Sequence, residues 1–398
     1  MAEPSPRSVL FVTPRWRRDG GIAAHAEASA GALARAGLEV HVLAGEATPG
    51  RTDDGVLVMR SAALGDVRAP VRERLGEALS LTPQVIHLHQ VDDPEIVAAL
   101  RALAPVVISA HGYTACTSDV YHFGPGEKCT HHHGPGCIAN LALRGCAHTR
   151  DPRPLPGAYR RTTRAVRALE LADLAVSYGS AVDQHLAANA IERRCVIPLF
   201  TTLTPSGGDG GEHRRRVIFA GRVVPPKGLE VLIRAAREVD GEFVVCGDGW
   251  QLPRLRALAG RLGVEERFAF KGWLDAGELA RELSEASVLA MPSVWPEPFG
   301  LVGIEAHAAG RPVVASATGA IGDWLSDGVS GLLVRPADPG ELARALNELL
   351  ADPARRREMG QAGRANVAER FSPERHVSAI LEAYRRARGT WEASPPPA

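Results

Sequence analysis

Two carboxylates, Glu297 and Glu305, stand eight positions apart in the run Glu297-Pro298-Phe299-Gly300-Leu301-Val302-Gly303-Ile304-Glu305. Pro296 and Pro298 disfavour helix over Glu297, whereas Phe299 to Ala309 has helical composition, so the sequence predicts a helix start at Phe299 or Gly300. The first N–H groups of such a helix lack partners, and together with the helix dipole they make an anion site. At about 1.5 Å of rise per residue, Glu305 lies roughly one to two turns beyond that anion. A phosphate at the helix start therefore has a carboxylate on either side: Glu297 faces a group attached to it, and Glu305 faces the hydroxyls of a ribose. Taken alone, the spacing fits equally well a helix entry with two surface carboxylates.

A second run, Phe219-Ala220-Gly221-Arg222-Val223-Val224-Pro225-Pro226-Lys227-Gly228, sets Arg222 and Lys227 on either side of a Pro-Pro turn just beyond a predicted strand. With it come Gly20-Gly21 after the first predicted strand, His111-Gly112 after a later one, and the turn Gly247-Asp248-Gly249. In this order, over roughly positions 8 to 388, these motifs resemble those of the retaining glycosyltransferases of family 4. The Glu297-x7-Glu305 run and the Arg222/Lys227 run are the two most specific of them.

The resemblance implies an α/β protein of GT-B fold, with two Rossmann-like doubly wound domains facing across a cleft. It further implies a retaining, metal-independent hexosyl or glycosyl transfer from a nucleotide-diphosphate sugar, a UDP-sugar by expectation, to an acceptor hydroxyl of unspecified type. In such a reaction negative charge gathers on the β-phosphate oxygens, and two fixed cations beside a helix N-terminus stabilise it without a metal. By motif match, Arg222 and Lys227 meet the diphosphate, Glu297 the donor sugar and Glu305 the ribose. The N–H groups of Phe299 and Gly300 help position the sugar, and those of Leu301 and Val302 the phosphate. His111 touches the donor sugar, Gly20 and Gly21 free backbone for donor phosphate or acceptor, and Gly247 borders the nucleotide. Phe270, in Phe270-Lys271-Gly272-Trp273, brings main chain to the nucleobase, while Trp273 reads equally well as packing.

Two stretches depart from the family pattern. Gly319-Ala320-Ile321-Gly322-Asp323 replaces the common Gly-Gly-x-Pro-Glu, which leaves the sugar open, and Pro198-Leu199-Phe200 replaces Pro-Asn-Gly. Two other functions stay in play: a nucleotide-sugar epimerase on the same scaffold, and a non-catalytic nucleotide-sugar or metal-responsive binding protein. The intact set of Arg222, Lys227, Glu297 and Glu305 speaks against the second, since a sensor has no need of leaving-group cations.

With 398 residues the chain is long enough for two cores. Its 46 basic and 46 acidic residues give a formal net charge of zero, which removes any overall electrostatic case for nucleic-acid binding. No run approaches the roughly 20 apolar residues of a membrane span, and the apolar run after Arg7 is too short for a signal-peptide core. The expectation is a cytoplasmic protein whose acceptor is a small molecule, a glycan or a lipid-linked group. Its oligomeric state is left open. Arg160, Arg161, Arg164 and Arg167 allow peripheral contact with an anionic membrane surface, although a solvated helix face accounts for them more simply. The first strand lacks a following G-x-G-x-x-G and the chain lacks a Walker motif, which weighs against a nicotinamide cofactor or an NTPase.

Short apolar runs alternate with helix-length amphipathic ones, the pattern of parallel sheets covered by helices. In the first half, strands are predicted at Val9–Thr13, Leu38–Leu43, Val85–His89 and Val106–Ala110. In the second they fall at Val217–Ala220, Phe243–Cys246, Phe268–Phe270, Val288–Met291, Val313–Ser316 and Leu332–Val334. The Gly-rich stretch Thr204 to Gly211 reads as lying next to the domain hinge, or as an exposed loop close to it. This divides the chain into an acceptor-side domain at 1–200, a donor-binding domain at 201–375, and a crossover helix with disordered tail at 376–398. Pro373 to Arg388 is the candidate crossover helix, and Trp391 to Ala398 is expected to be disordered.

An insertion at about 112–150 carries Cys116, Cys129, Cys137 and Cys146 among several histidines. Thiolates and imidazoles at this density in a polar loop suggest a structural zinc clip, with an iron–sulfur cluster, disulfides or unbonded thiols as the other readings. No cofactor is expected to be required for catalysis. Cys195 and Cys246 sit in apolar runs and read as core.

Overall fold

The structure, a computed structural model, describes residues 6–16, 21–117, 131–143, 146, 153–203 and 215–395. The described residues divide into two compact units: the first contains those between 6 and 199 together with 373–395, and the second 200–203 and 215–372. Gly20, Cys129 and the stretch 204–211 lie outside the described residues.

In the first unit the strands are β1 (Ser8–Arg15), β2 (Glu39–Glu46), β3 (Gly50–Arg51), β4 (Leu57–Arg60), β5 (Val85–His89), β6 (Val106–Ala110), β7 (Leu174–Ser177) and β8 (Arg194–Val196). They form one sheet in the order β3-β4-β2-β1-β5-β6-β7-β8, parallel except for the β3–β4 pair. The second unit holds β9 (Arg216–Ala220), β10 (Glu242–Cys246), β11 (Phe268–Gly272), β12 (Val288–Met291), β13 (Val313–Ser316) and β14 (Gly331–Val334). Their order is β11-β10-β9-β12-β13-β14, all parallel. Both sheets are doubly wound, and together they make the GT-B fold.

Parallel strands covered on both faces read as unbroken apolar runs, which is why Val217-Ile218-Phe219 and Val313-Val314-Ala315 are buried throughout. Several helices start where the sequence supplies a carboxylate cap. Asp275 forms a capping box with Glu278, and Asp338 and Asp352 each cap a helix that begins with proline.

The helix Pro373–Ala393 returns to the first unit, where Ile380, Ala383, Tyr384 and Ala387 join its core. It corrects one expectation. Trp391, Glu392 and Ala393 are helical rather than disordered. The Trp391 indole donates to the Arg101 carbonyl at 2.8 Å and the Arg101 guanidinium donates to the Ser394 carbonyl at 2.6 Å, which ties the helix end to the unit. The short strands β3, β4 and β7 have no counterpart in the sequence reading; their brevity gives the period-2 signal little length to act over.

Among the described residues, no helix is long and apolar enough to cross a membrane.

Candidate active site

In each sheet the strand order reverses beside the first strand, and ligands of such folds bind at that point, beyond the carboxyl ends of the strands. In the second unit β9 and β12 are neighbours there, so the segments that follow them are brought together. The turn Pro225–Lys227 follows β9, and Glu297 lies six residues beyond the end of β12.

Lys227 Nζ donates to both oxygens of Glu297, at 2.8 and 2.9 Å. Glu297 is 2% exposed and Lys227 24%. Ser293 Oγ donates to Glu297 Oε1 at 2.5 Å, so the carboxylate is held from two directions. The sequence reading gives the two charges separate ligand partners; here they also neutralise each other, as a buried carboxylate requires. Ser293 is a positioning group that the motif reading missed, because its role depends on the path of the loop.

Backbone approach fixes this geometry. Gly228 has φ +68°, and a Cβ there would lie 1.8 Å from the Pro292 carbonyl oxygen. Val294 N–H donates to the Pro226 carbonyl at 3.0 Å, locking the post-β9 turn to the post-β12 loop. Gly319, φ +63°, lies against Glu297 itself: a Cβ there would be 2.2 Å from its carbonyl oxygen. Ala320 N–H donates to that same carbonyl at 2.8 Å. The stretch that departs from the family pattern therefore still supports Glu297 through main chain.

The helix Leu301–Ala308 begins one residue later than the latest start the sequence predicts. Gly300 is its N-cap in left-handed conformation, φ 94°, a backbone state that excludes it from the helix itself. Trp324 Nε1 donates to the Phe299 carbonyl at 2.7 Å, and the buried Phe299 ring meets Phe371, which sets the entry angle. Leu301 and Val302 are half-buried at the first turn.

The side chain of Glu305, half-buried on the same helix, makes no hydrogen bond or ion pair among the described residues. Desolvation pushes its pKa from 4.5 up to about 7. The folded protein therefore keeps this proton across a window where the unfolded chain has lost it. The stability Glu305 contributes is full below about pH 4.5 and is lost as pH rises towards 7. Glu305→Gln is expected to abolish that loss, so thermal melts of parent and variant should agree near pH 5 and separate in the variant's favour near pH 8. The same variant should bind nucleoside diphosphate more weakly by calorimetry. A parent melt that does not fall relative to the variant would remove the desolvated carboxyl from the site.

Arg222 is exposed and, among the described residues, has no ion-pair partner. Gly247, φ +149°, brings its Cα against Gly221, where a Cβ would stand 1.9 Å from the carbonyl oxygen, and Val223 N–H donates to the Asp248 carbonyl at 2.8 Å. The Gly247-Asp248-Gly249 turn is thus part of the platform under Arg222. Phe270 is half-buried beneath the Arg256 guanidinium, 4.7 Å from its ring centroid. Trp273 is 50% exposed, so it is not core packing, and Trp250, which the sequence reading passed over, is 73% exposed.

In the first unit, Gly21 opens the helix Gly21–Arg35. His111 follows β6, and its Nε2 lies 3.0 Å from His89 Nδ1. Burial pushes the His111 pKa down to about 3, keeping the ring neutral. Beyond the ends of β1, β5 and β6 is an open depression of about 500 Å³, lined among others by Asp92, Thr114, Thr117, Arg74, Arg161 and Arg164. Arg74 and Arg164 both reach Asp93, at 2.8 and 2.7 Å. Desolvation works to raise the Asp93 pKa, but these hydrogen bonds outweigh it and hold the group below its usual range. Desolvation alone pushes Asp92 up to about 6. Arg161 has no ion-pair partner among the described residues, and the buried hydroxyls of Thr114 and Thr117 lack hydrogen-bond partners there. No motif announces this depression; it collects single residues from distant segments. Arg164 spends its charge inward, and Arg167 pairs with Glu170, so the helix Leu155–Leu171 does not present a uniform basic face.

Cys116 is half-buried, Cys137 lies near the start of the helix Pro135–Leu143 and Cys146 is buried. Among the described residues no three His, Cys, Asp or Glu side chains converge as a metal site. Cys195 is partly buried and Cys246 buried.

Residues 210–366 match the family described as glycosyl transferases group 1. A D-inositol 3-phosphate glycosyltransferase of Streptomyces bingchenggensis is 39% identical over 184 residues, covering 43% of this chain and 40% of that protein. The chain thus spans about two fifths of the length of the first curated relatives it matches. A protein of the same name from Paenarthrobacter aurescens is 29% identical over 92% of this chain and 93% of its own. Among solved structures, sucrose-phosphate synthase from Thermosynechococcus elongatus aligns with a TM-score of 0.73 at 24% identity, covering 98% of this chain and 100% of that one. Anabaena HepE in complex with UDP and glucose aligns with a TM-score of 0.70 at 20% identity, covering 95% and 99%. These structures share the GT-B fold.

Proposed function

We propose that the protein is a retaining, family 4-type glycosyltransferase that moves a sugar from a nucleotide-diphosphate sugar to an acceptor hydroxyl, with donor residues in the second unit and acceptor residues in the first. The observation that carries this reading is the Lys227–Glu297 pair at the reversal point of the second sheet, beside the open start of the helix Leu301–Ala308 and the unpartnered Glu305. The group 1 match over 210–366 covers these residues, and HepE, of the same fold, holds UDP and glucose.

In this reading Arg222 and Lys227 meet the diphosphate, Glu305 the ribose and Glu297 the sugar hydroxyls. The exposed rings of Trp250 and Trp273 offer stacking surface for the base. The bond from the anomeric carbon to the β-phosphate oxygen breaks, and a bond to the acceptor oxygen forms on the same face. The departing phosphate takes the acceptor proton. The depression lined by Asp92, Thr114, Thr117 and Arg161 supplies hydroxyl and cationic partners suited to a polar acceptor, in keeping with the phosphorylated polyol in the relatives' name. The reading places the protein in the cytoplasm.

Mass spectrometry with a panel of nucleotide sugars tests it. Slow release of nucleoside diphosphate from one donor, accelerated by a hydroxylated acceptor, is expected. Epimerised donor, or binding with no turnover, would replace it by the epimerase or sensor reading. Because the leaving charge is met by fixed cations, activity is expected to survive brief EDTA treatment. Immediate loss restored by Mg²⁺ would reject the metal-independent mechanism. For the Cys116, Cys129, Cys137 and Cys146 segment we retain structural zinc as the proposal, and elemental analysis showing no zinc in protein purified without chelator would reject it.

A further inference from the structure

His89 ends β5 fully buried, stacked on Phe11 with centroids 5.0 Å apart and planes at 13°. Its Nδ1 faces His111 Nε2 at 3.0 Å, and its Nε2 is buried with no hydrogen-bond partner among the described residues. Around this pair stand His25 from the helix Gly21–Arg35, His87 from β5, Tyr178 after β7 and His376 from the helix Pro373–Ala393. Desolvation keeps both rings neutral, and at His89 the neighbouring imidazoles act in the same direction.

A neutral imidazole has one N–H and one lone pair, and the contact between His89 and His111 holds one proton. If that proton were on His111 Nε2, the N–H of His89 would be its Nε2, a buried donor without an acceptor. Orphaned buried N–H groups are rarer than bare acceptors. The proton therefore belongs on His89 Nδ1, which donates to His111 Nε2. His111 must then carry its own proton on Nδ1, the nitrogen not used in the cluster.

From this geometry we infer that His89 is a positioning residue that locks His111 in the Nδ1–H tautomer, so that His111 offers ligands a hydrogen-bond donor and not a base. This rests on the proposed function only in making the ligand a sugar oxygen. The bond with His89 is independent of it. The second network nearby, Tyr384 Oη to His87 Nδ1 at 2.8 Å and His87 Nε2 to Ser109 Oγ at 2.7 Å, lies on the same face of β5, the His87 and His89 ring centroids 4.4 Å apart, and engages neither ring of the pair by hydrogen bond.

Long-range ¹H–¹⁵N spectra of histidine-labelled full-length protein read the tautomers directly, with His111→Asn assigning the resonance. The parent is expected to show His111 as Nδ1–H. His89→Leu should convert it towards Nε2–H and lower donor turnover about tenfold, the size of one neutral hydrogen bond, while His89→Asn, whose amide N–H can replace Nδ1–H, should restore both. A parent spectrum with His111 as Nε2–H overturns the inference, as does an unchanged His111 tautomer in folded His89→Leu. If that variant does not fold, the parent spectrum alone decides. An Nδ1–H tautomer in a protein that turns over no nucleotide sugar would refute the proposed function and leave the positioning role standing.

Discussion

Arg222→Ala is expected to lower kcat by about 10²–10³ with a much smaller change in donor affinity, the loss typical of one preorganised contact to transition-state charge. Arg222 is the clean test of the diphosphate assignment. It is exposed and has no ion-pair partner among the described residues, so its removal breaks nothing that holds the fold. Lys227→Ala is expected to lower kcat at least as far, but it also strands the Glu297 carboxylate, which is 2% exposed, with the Ser293 hydroxyl as its remaining hydrogen-bond donor among the described side chains. Breaking one side of a buried pair costs about 3–5 kcal/mol, and the partial exposure of Lys227 moves this case toward the lower end. Pairing Lys227→Met with Glu297→Gln removes both charges and separates the two effects, because stability should recover while turnover does not. Unchanged kcat in Arg222→Ala and in the double variant would remove both cations from the leaving-group role.

The second large effect is expected from glycines that contain no chemistry of their own. Gly228→Ala and Gly319→Ala each place a Cβ inside the van der Waals radius of backbone atoms, 1.8 Å from Pro292 O and 2.2 Å from Glu297 O, at positive φ. The left-handed backbone alone costs an L-residue about 1–2 kcal/mol, and overpacking a well-packed site adds about 1–3 kcal/mol. Each variant should therefore lose about 2–5 kcal/mol in urea melts. Any folded protein should bind nucleoside diphosphate poorly, because the 292–297 loop has moved from Lys227. Gly322→Ala, in the same turn as Gly319 but with open space around it and no positive φ, is the control and should stay within about 0.5 kcal/mol of the parent. Equal behaviour of Gly319→Ala and Gly322→Ala would show that the clamp on Glu297 is not what positions it.

Much of the second unit was legible because its signals are local. Apolar runs bounded by glycine and proline located each of its six strands, and the contiguous runs that contain Arg222, Lys227, Glu297 and Glu305 carry the family resemblance from which their expected roles come. The helix start was displaced to Leu301 for a reason that composition hides: Gly300 adopts φ 94°, and Trp324, distant in sequence, holds the Phe299 carbonyl. The first unit was less legible. Its strands β3, β4 and β7 are short, and its depression draws Asp92, Thr114 and Arg161 from separate segments. The Trp391 end of the last helix likewise owes its order to Arg101, a contact no local pattern contains.

By itself the sequence determined the doubly wound class and the inventory of groups available for chemistry, since hydrophobic period, turn residues and charge types are properties of neighbours along the chain. Tertiary structure decided what those groups do to one another. The reversal of strand order beside β9 sets Lys227 against Glu297, two side chains 70 positions apart, and converts two solvated charges into one desolvated pair. The adjacency of β5 and β6 likewise sets His89 against His111, where burial removes their charge and hydrogen bonding fixes the proton. Desolvation and pairing depend on what surrounds an atom in space, and that environment exists only once the chain has folded.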